Sequence, residues 1–227
     1  NAIELNVYFV PANLTMTVND TDLLDSTDVG MSFDNVDNGT VQVNNALVNG
    51  GGAAATAGVR ILGSNASFTF DNASQIQGVN GTDFLVDGGT GTVNAAVEIT
   101  NTVGRSIVVQ NTTGGNKTFT GNVTDSGTGI LVTGNSNNAN ISLLGSYDMD
   151  TTINDAVTIT SNTGAAISVD GLDINTTDGR GFVANGGGSL SVMGTTNKIV
   201  TTTGVGLDIQ NMTISNVGVA FESVTVS

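Results

Sequence analysis

Four aspartates near the N-terminus are the residues of this sequence best suited to binding a metal ion. Asp20, Asp22, Asp25 and Asp28 lie two or three residues apart. Calcium prefers several oxygen ligands, mainly carboxylates and carbonyls, so this spacing favours a structural calcium site. The cluster lacks the glycine and the distal glutamate of an EF-hand, and no repeat follows the Gly-Gly-x-Gly-x-Asp pattern. A solvated acidic loop without metal is the alternative, and no other cofactor is expected.

Paired carboxylates are a second arrangement with chemical capability, because many glycosidases work with two of them. Short spacing offers Asp170 with Asp173, and Asp148 with Asp150. Sugar sites also use aromatic platforms and basic neighbours, but the chain has no Trp and only 5 Lys and Arg residues. It contains no His and no Cys, which excludes His-dependent triads, thiol chemistry and disulfides. We therefore expect no enzyme, with a polysaccharide-active enzyme as an alternative.

Asparagine is frequent, and many copies stand in Asn-x-Ser/Thr sequons, the acceptor sites of N-glycosylation. Such sites would suit a glycosylated surface protein. Turns rich in Asn, Ser and Thr also generate sequons without any glycan, and this reading stays open. The sequons begin at Asn13, Asn19, Asn38, Asn65, Asn72, Asn80, Asn111, Asn116, Asn122, Asn140, Asn175 and Asn211.

Charge and hydropathy exclude two classes of partner. There are 20 acidic and 5 basic residues, giving a formal net charge of −15. Nucleic-acid binding needs a basic patch, so no nucleic-acid partner is expected. No apolar run approaches ~18 residues, so no membrane span is expected. The sequence begins at Asn1 without a signal peptide, which favours a processed or excerpted chain.

A repeat of glycines is the main signal for the fold. Gly58, Gly81, Gly104 and Gly127 are equally spaced, and an apolar pair begins at the third position after each one. Between these glycines, apolar and polar residues alternate in short runs that end in turn residues, a pattern typical of strands. A sandwich would show turns every ~8–12 residues without this longer period. The sequence therefore predicts an all-β, single-stranded parallel β-helix with about 23 residues per coil.

This prediction has three local consequences. About ten coils would form a rod of roughly 45–50 Å. Asparagines at turns would stack on asparagines of the next coil, as in amide ladders. The stretch that holds Tyr147 to Asp150 interrupts the period and is interpreted as an exposed loop.

The first residues differ from the rest of the chain. No glycine occurs before Gly30, and no basic residue before Arg60. The alternation from Ile3 to Val18 is strand-like but stands outside the repeat. We interpret residues 1–37 as a segment that caps the solenoid or donates a strand to a neighbour, and residues 38–227 as the parallel β-helix.

Three strings resemble the β-strand repeats of giant bacterial adhesins and filamentous-haemagglutinin-like surface proteins. They are GRSIVVQNTTGGNKTFTGNVTDSGTG at residues 104–129, GTGILVTGN at residues 127–135 and GGGSLSVMGTTNKIVTTTGVGLDIQNMTISNVGVAF at residues 186–221. The resemblance covers roughly residues 38–227 and implies a right-handed solenoid with a role at the cell surface. That family has no shared catalytic residues to carry over.

A structural rod is the function that these observations favour. The open ends of a β-helix template further strands unless they are capped, so copies would join head to tail into an extracellular or cell-surface filament, sheath or fibre. An adhesin stalk or glycan-binding module of a longer protein is the alternative, with loops near Tyr147 or at residues 50–57 touching surface glycans. A polysaccharide-active enzyme or phage tailspike is less favoured.

Overall fold

The chain forms an all-β parallel solenoid, which confirms the predicted fold class. The computed structural model describes residues 3–6, 14–51 and 56–227, and none of these residues is helical. Every described strand pair is parallel, with each strand hydrogen-bonded to its counterpart one coil away. The chain passes from the first to the last of 9 stacked strands in about 8 turns of ~25 residues.

Each full coil holds two or three strands. The first three coils contain β1 (Ile3–Asn6), β2 (Leu14–Leu24), β3 (Val29–Asp34), β4 (Gly39–Asn49), β5 (Ala57–Leu62), β6 (Ser67–Phe70) and β7 (Gln75–Gln77). The next three contain β8 (Thr82–Asp87), β9 (Thr92–Ala95), β10 (Glu98–Asn101), β11 (Arg105–Gln110), β12 (Asn116–Phe119), β13 (Val123–Asp125), β14 (Ile130–Thr133), β15 (Asn140–Leu143) and β16 (Tyr147–Thr152). The last three contain β17 (Val157–Thr160), β18 (Ala166–Val169), β19 (Leu172–Thr176), β20 (Phe182–Asn185), β21 (Ser189–Val192), β22 (Lys198–Thr201), β23 (Leu207–Gln210), β24 (Thr213–Val219) and β25 (Ser223–Val226).

The strands stack into three faces around one core. Face 1 is a sheet of 9 strands that runs from β1 to β23. Faces 2 and 3 belong to one sheet of 16 strands, because the long strand β4 pairs with β6 on one half and with β7 on the other. Face 2 then ends at β24 and face 3 at β25.

The core consists of the inward-facing half of each strand. Branched aliphatic residues fill most of it, and most of the buried phenylalanines lie between Phe33 and Phe119. Phe70 and Phe84 lie with ring centroids 5.0 Å apart, and Phe84 and Phe119 lie 5.3 Å apart, both edge to face. Such pairs add about 0.5–1.5 kcal/mol beyond burial, so this row of rings stabilises the stacking of adjacent coils.

The repeated glycines lie at the corner that leads into face 1. A Cβ on Gly104 would collide with the carbonyl oxygen of Gly81, and a Cβ on Gly127 with that of Gly104. Glycine is therefore required because two coils approach each other closely there. Gly58 does not belong to this stack. Strand β5 pairs Val59, not Ile61, with Phe84, so the first glycine of the proposed repeat is out of register by two residues.

The predicted period of about 23 residues holds in only part of the solenoid. It holds where Phe84 pairs with Ile107, but the coils that pair Met31 with Val59 and Ile130 with Val157 are longer. The register within these strand pairs is continuous, so the length differences lie between successive strands. Insertions at corners leave the stacking intact, so length differences accumulate there.

The loop predicted around Tyr147 is also wrong. Residues Tyr147–Thr152 form β16, and the Tyr147 side chain is fully buried. Its hydroxyl donates a hydrogen bond to the carbonyl oxygen of Phe119, 3.0 Å away. The predicted exposure failed because most of the extra residues of this coil come after Met149, in the stretch that leads to Val157.

Amide ladders are present both inside and outside the solenoid. Asn135 Nδ2 donates to Asn162 Oδ1 at 2.8 Å between buried side chains one coil apart. On the outer surface Asn140 Nδ2 donates to Asn116 Oδ1 at 3.0 Å. The prediction that asparagines stack on asparagines is confirmed at these positions.

The described part of residues 1–37 joins the same sheets as the rest of the chain. Strand β1 pairs with β3 and β2 pairs with β4, all in parallel register. Residues 7–13, which hold part of the alternating segment between Ile3 and Val18, lie outside the described residues. A capping or strand-donating role for residues 1–37, like the handedness of the solenoid, stays a prediction.

Candidate functional site

The four aspartates suggested for calcium do not gather around one point. Asp20 and Asp22 line a groove beside Asn45, whose Nδ2 donates to Asp20 Oδ1 at 2.7 Å. Asp28 lies near the next corner, where its Oδ1 accepts a hydrogen bond from the Thr56 hydroxyl. In the described ranges, no three acidic side chains lie close enough to hold a metal ion together. Calcium binding by Asp20, Asp22, Asp25 and Asp28 stays a prediction.

The sequon asparagines lie on the outside of the solenoid. Asn13 falls outside the described residues, and each of the other sequon asparagines is exposed. An oligosaccharide transferase requires exposed asparagines, but glycans on neighbouring asparagines would compete for space. Asn116 and Asn140 are register partners and hydrogen-bond each other, so glycans on both would crowd each other at the spacing of adjacent coils. Glycosylation stays a prediction.

The structure pairs the outer carboxylates differently from the sequence spacing. Asp148 and Asp173 are register partners on adjacent strands of face 3, and Asp173 pairs in turn with Lys198. Asp170 instead accepts a hydrogen bond from the N–H of Gly171 at 2.8 Å. Both Asp148 and Asp173 are exposed, and this is a solvated row of charges rather than a cleft.

A groove lies outside the corner between faces 2 and 3. Its volume is about 760 Å³, and polar side chains of three successive coils line it, including Asn72, Asn94 and Asn122. Burial opposes ionisation of Asp71 at its edge, but hydrogen bonds from Ser74 and from backbone N–H groups outweigh this and lower the pKa of Asp71. The groove offers amides, hydroxyls and carboxylates, which are groups that hydrogen-bond to sugars.

A buried polar corner lies inside the solenoid where face 3 turns into face 1. Asn101 Oδ1 accepts from the N–H of Val103 at 3.2 Å, and its Nδ2 donates to the carbonyl oxygen of Gly104 at 2.6 Å. One coil later, Asp125 Oδ1 accepts from the N–H of Gly127 at 2.7 Å, but Asp125 Oδ2 has no hydrogen-bond partner in the described part of the chain. Asp125 thus reproduces the acceptor half of the Asn101 arrangement and lacks the donor.

Asp83 and Ser106 lie next to this corner and are register neighbours on face 1. Both side chains are fully buried, and among the residues that the structure describes neither Asp83 carboxylate oxygen nor the Ser106 hydroxyl has a hydrogen-bond partner. Burial first, and the charge of Asp125 second, raise the pKa of Asp83 to about 9. The repeat contains a signal for this residue, because positions 83, 106 and 129 recur with the same period as the glycines and hold Asp, Ser and Gly.

Lys117 is a second buried ionisable group that the sequence analysis missed. It occupies an inward position of β12 between Val93 and Ile141, and its side chain is 1% exposed. Its ammonium donates to the carbonyl oxygen of Gly114, and burial lowers its pKa to about 8. The alignment of Lys117 with apolar residues in both neighbouring coils was the signal available in the sequence.

The last coil differs from those before it in exposure. Leu207 pairs with Phe182, and Val224 pairs with Ile199. Phe182 and Ile199 are fully buried, whereas Leu207 is 36% and Val224 is 42% exposed. Strands β23, β24 and β25 each have a neighbouring strand on one side only among the described residues. This coil therefore presents inward-facing apolar side chains and unpaired strand edges.

Comparison with known proteins gives no identity. No family model, no curated protein and no solved structure matches the chain significantly. The resemblance to adhesin and filamentous-haemagglutinin-like repeats therefore stays a prediction. Within the described ranges, no helix is long and apolar enough to cross a membrane.

Proposed function

We propose that this protein is a structural rod unit outside the cell that assembles head to tail, with the last coil of one copy stacking on the first coil of the next. The observation that carries the proposal is the exposure of the last coil. Of the large hydrophobic side chains that are exposed in the described residues, most belong to residues 200–226, among them Ile214, Val217 and Val226. Burying such a surface is favourable at about 25 cal/mol per Å².

The first described coil supplies a complementary edge. Strand β2 pairs only with β4 among the described residues, so its other edge is available for pairing. All strands run parallel, and an added copy would continue faces 1, 2 and 3 in the same direction. A contact between unlike ends does not close on itself and therefore produces an open filament.

The charge of the chain favours axial over lateral association. With a net charge of −15, copies side by side repel each other through long acidic surfaces. End-to-end contact juxtaposes only one coil of each copy. We therefore expect assembly to strengthen with ionic strength, since salt screens the remaining repulsion.

Two lysine substitutions in β25 test the proposal. Val224 pairs with buried Ile199 and faces inward, whereas Thr225 pairs with exposed Val200 and faces outward. Val224→Lys places a positive charge in the surface that would contact the next copy. Thr225→Lys adds the same charge on the outer side of the same strand. The measurement is sedimentation velocity with negative-stain electron microscopy, over a range of protein and salt concentrations.

The unsubstituted chain and Thr225→Lys are expected to form rods in multiples of about 40 Å, the combined rise of the stacked coils at ~4.8 Å each. Val224→Lys is expected to stay monomeric. Monomers of all three proteins under every condition would overturn self-assembly and favour the stalk alternative, in which further coils of a longer chain cover the same face. Equal assembly of all three would show that the last coil is not the contact.

The groove at the corner of faces 2 and 3 favours a second candidate, a glycan-binding module. Its polar lining spans three coils, and a linear sugar could lie along it. Binding of neutral and acidic oligosaccharides, compared between the unsubstituted chain and Asn94→Ala, tests this candidate. Loss of binding in the variant would support it, whereas absence of binding to any glycan in the unsubstituted chain would contradict it.

A further inference from the structure

Four buried side-chain oxygens lack a hydrogen-bond partner in the described residues, and they belong to three neighbouring side chains. They are both carboxylate oxygens of Asp83, Oγ of Ser106 and Oδ2 of Asp125. These side chains are fully buried. A buried polar atom without a partner costs about 1–3 kcal/mol, and a buried unpaired carboxylate costs more. Two such carboxylates at one corner require a counterion or a proton.

The protein's own basic groups do not supply the counterion. Arg105, which precedes Ser106 in sequence, directs Nη1 at the carbonyl oxygen of Thr128, 3.1 Å away. Burial lowers the pKa of Arg105 and the charge of Asp125 opposes this, but the two side chains form no direct ion pair. None of the ion pairs in the described part of the chain includes Asp83 or Asp125.

In the adjacent coils, small residues occupy the backbone position that corresponds to Asp83. Its register neighbours are Gly58 in the preceding coil and Ser106 in the following one. A Cβ on Gly58 would lie 2.7 Å from the Asp83 carbonyl oxygen, so the coils are tightly apposed on that side. A carboxylate at this position is therefore unusual within a line of small side chains. A second unusual carboxylate lies next to it, because Asp125 stands where the preceding coil has an amide donor.

We propose that Asp83, Ser106 and Asp125 form an internal calcium site of the solenoid. Two carboxylates balance the charge of one divalent cation, and the donors are all oxygen, which is the ligand type that calcium prefers. Its tolerance of irregular geometry suits side chains that come from three different strands, β8, β11 and β13, whereas magnesium demands a regular octahedron. The site is distinct from the cluster at Asp20, Asp22, Asp25 and Asp28.

The test compares calcium binding and thermal stability in the full chain. Protein is unfolded in guanidinium with EGTA, refolded by dialysis, and returned to buffer with or without CaCl₂. Bound metal is measured by mass spectrometry of the ashed protein, and Tm by calorimetry. The variants are Asp83→Ala and Ser106→Ala, which fit a line of small residues, and Asp125→Asn, whose amide can donate as Asn101 does. Asp22→Asn is the matched control in the N-terminal cluster.

One calcium ion per chain is expected in the unsubstituted protein and in Asp22→Asn, with a rise in Tm of about 5–10 °C at about 100 times Kd. Asp83→Ala and Asp125→Asn should lose both the ion and the rise, and Ser106→Ala should bind more weakly. In EGTA, Asp125→Asn should melt above the unsubstituted chain, because its Nδ2 gains a carbonyl partner and one buried charge is removed.

Two results would overturn the proposal. Calcium lost in Asp22→Asn but kept in Asp83→Ala would move the site to the N-terminal cluster. No bound metal in the unsubstituted chain, with no effect of CaCl₂ on Tm, would show that a proton and not a metal ion neutralises the corner. In that case the melting curves in EGTA still show whether each variant is folded, because a folded variant unfolds cooperatively with or without metal.

Discussion

At the scale of single residues, the most unusual feature is an ammonium group inside an apolar stack. Lys117 stands where the neighbouring coils have Val93 and Ile141, and its ammonium donates a hydrogen bond to the Gly114 carbonyl oxygen. A buried charge with a single neutral partner destabilises the folded state. Nothing in the proposed assembly requires this lysine, so its cost can be measured directly.

Lys117→Met is expected to raise the free energy of unfolding at pH 7 by about 1–3 kcal/mol, because an apolar side chain of similar length replaces a desolvated ammonium. Denaturation by guanidinium measures the change. Lys198→Met is the control, since Lys198 is half exposed and pairs with Glu222 at 3.4 Å. A decrease in stability of Lys117→Met at pH 7 would show that the ammonium is better solvated than its burial indicates.

The pH dependence of that difference follows from the lowered pKa of Lys117. In the folded chain the pKa is about 8, against 10.5 for an ordinary lysine, so between these values the unfolded state binds more protons. Stability of the unsubstituted chain relative to Lys117→Met therefore rises with pH across this window, by at most about 1.4 kcal/mol per pH unit. A difference that stays constant from pH 7 to pH 10.5 would contradict the assignment.

The sequence allowed outer residues to be interpreted better than inner ones. Sequon asparagines were expected at turns, and all the described ones are exposed. Asp83 and Lys117 were missed because a charged residue in a strand is normally assigned to the outer face. Their burial emerges only after the register between coils is known, since each aligns with small or apolar residues in adjacent coils.

At the scale of elements, the corners determine how closely the coils approach. The stack of Gly81, Gly104 and Gly127 leaves no room for a Cβ on Gly104 or Gly127, because each would meet the backbone oxygen of the preceding coil. Backbone cannot move aside as a flexible side chain can. The spacing of these glycines was visible in the sequence, but their role as close-contact residues was not.

Gly104→Ala is expected to destabilise the chain by about 2–4 kcal/mol, since the new methyl group forces two coils apart. Thr102→Ala, an exposed position in the same corner, is the control and should change stability by less than about 0.5 kcal/mol. Thermal or chemical unfolding measures both. Equal effects of the two substitutions would show that the corner relaxes without cost.

The buried amide ladder is the second element with a measurable contribution. Asn162 donates to the carbonyl oxygen of Val132 at 2.9 Å and accepts from Asn135 at 2.8 Å. Asn162→Ala removes these bonds and the acceptor of the buried Asn135 N–H, although Asn135 Nδ2 keeps the Val109 carbonyl oxygen, and is expected to cost about 2–4 kcal/mol. Asn140→Ala removes an exposed ladder bond and should cost less than about 0.5 kcal/mol. A small effect of Asn162→Ala would mean that water replaces the amide.

Strand formation was predictable from local alternation, whereas coil length was not. Short runs such as Val157 to Ile159 were recognised as strands and lie in β17. The assignment of Tyr147 to a loop failed because the long gap after Gly127 was attributed to the stretch that forms β16. In a solenoid the faces fix the register and the corners absorb insertions, so a period measured over four glycines does not extend to the whole chain.

At the scale of the whole molecule, three stacked faces produce a rod with two different ends. The interior stays buried along most of the rod, and beyond Thr201 only Gly206 is buried among the described residues. Phe221 partly covers this end by packing on Phe182, with ring centroids 5.7 Å apart. In the proposed assembly, the remaining exposed side chains would form the contact with the next copy.

The absence of cysteine from the sequence makes the central claim directly measurable by disulfide trapping. Through successive register pairs, Ser223 and Leu24 belong to the same outer line of face 3, at opposite ends of the described solenoid. Stacked copies would bring these positions within about 5–6 Å between Cα atoms, which suits a disulfide. Leu24→Cys combined with Ser223→Cys should therefore give a ladder of covalent oligomers on non-reducing gels after mild oxidation.

Each single cysteine variant should give no species beyond dimer, since one cysteine per chain can link only two chains. A ladder from the double variant alone, abolished by adding Val224→Lys, is the result that head-to-tail stacking predicts. Monomers and dimers only, at protein and salt concentrations that favour assembly, would contradict it.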